Sequence, residues 1–507
     1  MPPFKLPSRS VLPVGPIGTA RSRLAISPRR SILTALLATL TLGALANAPA
    51  ATASHSEAVY FEGSTDLLSP LTRPHAIAQM QALGVKALRV ELSWYDVAPG
   101  QKSATRPNFE ATNPGAYSWG EYDALIGEAQ KLHWKVLLTV TSPVPRWATS
   151  NKAAPYVTGP DDQDFEQFMT AVARHYGSSV LYAIWNEPNH PAFLRPQFTA
   201  KGQPASPRVY RGLYQAAYAG LQAGGLAHPQ VLMGETAPFG YDTVNVRKLG
   251  VLHDVAPLAF LRGMLCLNAN YKKSGSCGPL QAVGYAHHAY TLPAGPYYKP
   301  PRPDERDDVV IGVLSRLTNA LNKAAAAHAI PAALPVYLTE FGVQTVPNRE
   351  LGVSLSQQAQ FDAIDEHIAW SNPRVAAFSQ YLLKDDPLGG RAGSSVNGGF
   401  VGFQSGLETV HGTPKPLYHS WPVPLTVTRS SRGYSLWGLI RPATGSTRAT
   451  ILVKRRGARK FTTLKTVTTN SLGYWSLASS TRGTAWRVRW VSPSGVKYEG
   501  TPITAYG

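Results

Sequence analysis

The chain has 507 residues, 44% of them hydrophobic and 10% aromatic, so it can bury a large core, and its 44 glycines and 42 prolines fall short of a low-complexity or collagen-like composition. The formal net charge of +19 is unevenly spread: residues 1–53 carry six basic residues and no acid, residues 54–421 carry 29 of each sign, and residues 422–507 carry 14 basic residues and one acid, Glu499. A polyanion-binding reading of the whole protein, nucleic acid included, therefore fails, and any such attraction belongs to the tail.

The N-terminus reads as a removable export signal. Basic residues end at Arg29-Arg30, an apolar stretch over 32–46 is short for a bilayer span, and Ala51-Thr52-Ala53 forms an A-x-A-like cleavage site before Ser54. The run Ser27-Pro28-Arg29-Arg30-Ser31-Ile32-Leu33 resembles a twin-arginine signal, with a Sec signal as the alternative. Residues 1–53 are thus expected to direct the mature protein to the cell envelope or the medium, with no stable membrane span.

From residue 57 onward, β-rich apolar runs alternate with amphipathic helical runs. Strands are predicted over 59–62, 87–91, 135–140, 180–185, 230–234, 282–287, 335–339 and 375–382. Helices are predicted between them, over 73–83, 119–132, 164–176, 207–223, 256–265, 308–328 and 355–371. Eight strands in βα order point to a parallel sheet, and eight repeats favour a closed (β/α)8 barrel over 54–421. No G-x-G-x-x-G follows an early strand, which argues against a dinucleotide fold. The two cysteines, Cys266 and Cys277, bracket a loop-like stretch, and an oxidising compartment predicts a disulfide between them rather than a metal site.

After Trp421-Pro422-Val423-Pro424 the texture changes to short alternating runs separated by turn residues, over 434–440, 449–454, 461–467, 474–477 and 485–491. Residues 422–507 read as a small Ig-like β-sandwich, a spacer or a contact for cell wall or another anionic polymer.

Catalytic groups of a parallel barrel sit at the C-terminal ends of its strands. Two predicted strands end there in a lone glutamate: Ile184-Trp185-Asn186-Glu187-Pro188-Asn189 and Tyr337-Leu338-Thr339-Glu340-Phe341-Gly342. Pro188 disfavours helical geometry at the residue before it, so Glu187 is expected extended at the strand mouth. A carboxylate closing an apolar strand is either at an active mouth or a costly buried charge, and a pair suits glycosidic bond cleavage.

W-N-E-P and T-E-F-G together resemble the acid/base and nucleophile motifs of the clan of retaining (β/α)8 glycoside hydrolases. Families 5 and 39, with their cellulases and β-xylosidases, are the nearest, and secreted actinobacterial proteins with a C-terminal sandwich are similar. The resemblance implies double displacement on an oligosaccharide, polysaccharide or glycoside, with Glu340 as nucleophile and Glu187 as acid/base, and with no metal or organic cofactor. It implies that Arg89 holds the nucleophile ionised and that Asn186 meets the sugar 2-hydroxyl. Tyr290 would donate to the nucleophile and His288 would contact sugar or acid, with His287 as its competitor. The strand-eight tryptophan of many family 5 members is missing, so Trp94, Trp147 or Trp185 are the candidate sugar platforms. Glu235 and Asp385-Asp386 are further acids near strand ends. A transglycosylase of envelope glycans, or a barrel that binds carbohydrate without cleaving it, fits the same pattern.

Overall fold

The computed structural model describes residues 57–387 and 402–506; the export segment expected at 1–53 lies outside them. Eight parallel strands close into a barrel in sequence order: β1 (Ala58–Glu62), β2 (Ala87–Ser93), β3 (Lys135–Thr141), β4 (Leu181–Ile184), β5 (Val231–Thr236), β6 (Gly284–His287), β7 (Val336–Leu338) and β8 (Val375–Tyr381). β8 pairs with β1 in parallel from Ala58↔Ala377 to Glu62↔Tyr381, which removes the sheet edge.

The crossover helices are α1 (Arg73–Leu83), α2 (Gly120–Lys131), α3 (Asp162–Tyr176), α4 (Ser206–Ala223), α5 (Pro257–Met264), α6 (Leu314–Ala326) and α7 (Leu355–Trp370). Local chemistry sets their ends. The Asp161 carboxylate accepts from the Asp164 N–H to start α3, and Ser354 with Gln357 forms a capping box at α7. The strands bury both faces. Inward residues Tyr60, Ala87, Leu137, Ala183, Leu232, Ala286 and Ala377 fill the barrel, and outward ones pack on the helices. Cys266 and Cys277 form the expected disulfide, with a Cα separation of 6.1 Å.

Seven antiparallel strands follow in two sheets: β9 (Leu425–Ser430), β10 (Gly433–Leu439), β11 (Arg448–Lys454), β12 (Thr462–Thr468), β13 (Tyr474–Ser479), β14 (Ala485–Val491) and β15 (Lys497–Glu499). One sheet has the order β13-β10-β9 and the other β12-β11-β14-β15. Val427, Leu436, Ile451, Val453, Trp475, Trp486 and Val488 from both sheets share one core, as a sandwich requires. β9 and β15 were not predicted; β9 begins directly after Pro422-Val423-Pro424, where the sequence texture changes.

This second unit is not loosely tethered. Arg441 makes two hydrogen bonds to the Glu366 carboxylate on α7, at 3.0 and 2.9 Å, and both side chains are buried. The guanidinium also lies 3.8 Å over the Trp421 ring. Lys86 donates to the Ala443 carbonyl and Tyr498 to the Ala82 carbonyl. Gly84, the left-handed cap of α1 (φ +86°), sits against the Pro442 backbone, where a Cβ would come within 2.6 Å. The face of α7 turned to this unit carries Asp362, Asp365 and Glu366, all buried, which is why that helix has no clean apolar stripe.

Candidate active site

Strand β4 stops at Ile184, and the next three residues turn into the barrel mouth. Their backbone is held by the neighbours: Trp185 N–H donates to the Val140 carbonyl, Asn186 N–H to Thr141 Oγ1, and Glu187 N–H to the Glu235 carbonyl. The expectation of an extended Glu187 is corrected here. Its φ is +37°, and Trp185 and Glu235 are left-handed too, at +70° and +46°. Pro188 disfavours the right-handed helical region but leaves this one open, and non-glycine residues held there are strained features that cluster at functional sites.

Across the mouth, Glu340 follows the end of β7. Tyr290 donates its hydroxyl to Glu340 Oε1 at 2.5 Å, and Arg89 NH1 reaches Oε2 at 3.1 Å. His288 Nδ1 lies 2.9 Å from Glu187 Oε1 and 3.7 Å from Glu340 Oε2. One oxygen of each glutamate and one nitrogen of His288 lie within 4.8 Å of one another. Glu187 and Glu340 thus face each other across a single histidine. That spacing could hold a cation as well as a substrate.

Arg89 is a hub rather than a partner of one carboxylate. Its Nε and NH2 bond both Glu235 oxygens at 3.2 and 2.9 Å, its NH1 also pairs with Glu62, and its NH2 also reaches Glu91 at 3.1 Å and Asn186 Oδ1 at 2.8 Å. The five N–H groups of a guanidinium are used up by these contacts. Glu235 is fully buried and further held by Thr139, so it braces Arg89 from below. Asn186 gives its oxygen to Arg89 and keeps only N–H donors for a ligand.

Burial pushes Glu187 up to about 7; Asp254 and Glu235 add to the rise, while His190 and Arg89 oppose it. The cause is therefore mainly loss of solvent, not its closeness to Glu340. Burial also raises Glu340 above the ordinary carboxylate range, with His288 and Arg89 pulling it back. Arg89 does reach Glu340 as expected, but it is shared among four carboxylates. Burial lowers His288, which favours the neutral ring.

His287 does not compete with His288. Its Nδ1 is bonded to Thr236 Oγ1 at 2.9 Å and its Nε2 to the Val309 carbonyl at 2.8 Å, both within the barrel wall. Trp94 is corrected as a sugar platform: it is fully buried and stacks on Phe168 at 5.2 Å, because the helical turn Trp94–Val97 aims the ring at α3. Trp185 and Trp147 are buried likewise. Asp385 is taken by Lys415 and Asp386 by the Phe403 N–H, so both hold loops. Sequence reasoning missed Glu62 and Glu91, although each closes or nearly closes an apolar strand as Glu187 and Glu340 do. It also missed the aromatic wall beside Glu340, where Tyr290 stacks on Phe341 and Tyr381 meets Phe403 edge-on.

The family model described as cellulase (glycosyl hydrolase family 5) matches residues 52–225. That stretch of the chain is similar to this family. The matched stretch contains Glu187 but ends before Glu340. A search of curated proteins found no match. Among solved structures, a monomeric β-xylosidase from Caulobacter crescentus is 13% identical, with 90% of this chain and 95% of that chain covered at a TM-score of 0.48. A family 39 glycoside hydrolase from Bacteroides cellulosilyticus is 14% identical, covering 82% and 80% at 0.45. A family 5 enzyme of subfamily 18 from Streptomyces cattleya, in complex with GlcNAc, is 15% identical, covering 73% and 81% at 0.45. Among the described residues, no helix is long and apolar enough to cross a membrane.

Proposed function

We propose that the protein is an exported, retaining glycoside hydrolase that cleaves O-glycosidic bonds of a glycoside, oligosaccharide or polysaccharide. The observation that carries this reading is the approach of Glu187 and Glu340 oxygens to within 4.8 Å across His288. Retaining enzymes hold their carboxyl groups about 5–5.5 Å apart, whereas inverting enzymes need roughly 6.5–9.5 Å to admit a water.

In this reading Glu340 attacks the anomeric carbon, and the Tyr290 hydroxyl and Arg89 steady its charge. Glu187, whose acid form burial extends up to about neutral pH, gives its proton to the departing oxygen. It then takes a proton from the water that hydrolyses the glycosyl-enzyme, which returns it to the acid form for the next turnover. His288, neutral and bonded to Glu187, orients the acid. Asn186 offers its amide N–H to the sugar beside the reacting carbon. Residues 54–421 form the catalytic unit and residues 422–507 an accessory one that contacts cell wall or another anionic polymer outside the cell.

Glu340→Ala is expected to abolish turnover of every substrate the wild type cleaves while the melting temperature is kept. Azide should restore part of the turnover of an activated aryl glycoside, with inverted product. Proton NMR of the first product of the wild type, read before mutarotation, should show the anomer of the substrate. An inverted first product, or full activity in Glu340→Ala, would sink the assignment.

A further inference from the structure

Nine of the 14 basic residues of 422–507 gather on or beside one sheet face. On β11, Ala449, Ile451 and Val453 point into the sandwich core, so Arg448, Thr450 and Lys454 face outward, with Leu452 on the same side buried opposite Arg487. On β14, Trp486, Val488 and Trp490 point inward and Arg487 and Arg489 outward; on β15, Tyr498 packs against Trp490 and leaves Lys497 and Glu499 outward. The register brings these together: Thr450 pairs with Arg489, Arg489 with Glu499, and Val491 with Lys497. Thr468 and Thr466 of β12 lie opposite Arg448 and Thr450 on the same face. At one end the hairpin between β11 and β12 adds exposed Arg455, Arg456, Arg459 and Lys460.

Two features distinguish this face from charge carried for solubility alone. Soluble surfaces intersperse both signs, as the barrel does, whereas the only acid of 422–507, Glu499, is used to set two arginines. Its two oxygens bond Arg487 NH1 and Arg489 Nε, both at 2.5 Å. The Arg487 guanidinium is also held 4.3 Å over the Phe461 ring. Side chains fixed in advance lose less freedom on binding. The seven-residue strands give a cationic strip about 23 Å long, edged by threonine hydroxyls.

Resting on the accessory role proposed above for residues 422–507, we infer that the outward face of the β12-β11-β14-β15 sheet binds a linear anionic polysaccharide, one bearing carboxylate or phosphodiester groups at regular intervals. The arginines and lysines meet the anions, and Thr450, Thr466 and Thr468 meet sugar hydroxyls. The attraction is charge-based, so it falls steeply with ionic strength.

Affinity electrophoresis of the full-length protein tests this in gels containing polygalacturonate, a poly(glycerol phosphate), neutral xylan or DNA. Retardation is expected with at least one of the first two, not with xylan, and should vanish near 1 M salt, where the screening length is about 3 Å. Retention by one acidic polymer and not the other identifies the anion. The triple variant Arg448→Glu, Arg489→Gln, Lys497→Glu should bind about tenfold more weakly or worse, whereas Arg432→Glu, in the exposed turn between β9 and β10, should stay within about twofold. Unchanged melting temperatures certify that both variants fold. Absence of retardation by either acidic glycan, equal loss in both variants, or tighter binding of DNA than of either glycan overturns the inference.

Discussion

At the scale of single residues, the proposed mechanism makes the proton held by Glu187 decide the working pH. Its value near 7 means the acid form dominates below neutrality and is lost above it, so kcat/KM for a poor leaving group should fall as pH rises through about 7. Glu187→Gln removes the transferable proton. It should slow a substrate with a poor leaving group by roughly 10²–10⁴-fold, spare glycosylation by an activated aryl glycoside, and erase the falling limb. Parallel pH–rate profiles for wild type and variant on the two substrates check this; a limb that survives in the variant would move the acid role elsewhere. The two glutamates were legible in the sequence because a charge closing an apolar strand is costly unless it is used. Glu62 and Glu91 sent the same signal. They went unread because what they do depends on Arg89, and only the closed barrel brings β1, β2, β5 and β7 around one guanidinium. Trp94 was misread for a related reason: its place after β2 is a sequence fact, but the turn that swings its ring to α3 is not.

At the scale of elements, the βα alternation was readable almost throughout, because each strand is an apolar run and each helix a periodic one. The limits lay where tertiary contacts override pattern. α7 buries Asp362, Asp365 and Glu366 under the sheets, so its own sequence gives no apolar stripe to orient it. The loop closed by Cys266 and Cys277 is an element whose contribution follows from its length. With a sequence separation of 11 between the partners, cross-linking should stabilise the fold by about 3 kcal/mol in the chain-entropy picture. Replacing both cysteines by serine should lower denaturant stability by an amount of that order while leaving the kinetics of glycoside turnover unchanged, since the loop is remote from Glu187 and Glu340 in the chain. A loss below about 0.5 kcal/mol would mean that the loop is already ordered without the bond.

At the scale of the whole molecule, the neutral barrel and the basic sheets differ in charge but share a buried ion pair. Deleting one partner of such a pair strands the other, at a typical cost of 3–5 kcal/mol. Arg441→Met should therefore destabilise the protein by about that amount, measured by urea unfolding, and Glu366→Gln in the same background should recover part of it. An Arg441→Met variant as stable as wild type would show that the sheets and the barrel are energetically independent.

That ion pair also sets an order of events. Arg441 follows Glu366 by 75 residues, and domains generally fold as units, N-terminal first, during synthesis. A nascent chain that has completed all eight barrel strands still holds Glu366 beside Asp362 and Asp365 with no cation against it. The barrel reaches its final stability only after the sheets that follow it have been made and docked. Truncation by a premature stop codon or a protease would thus be felt first as poor yield and only secondarily as a missing module.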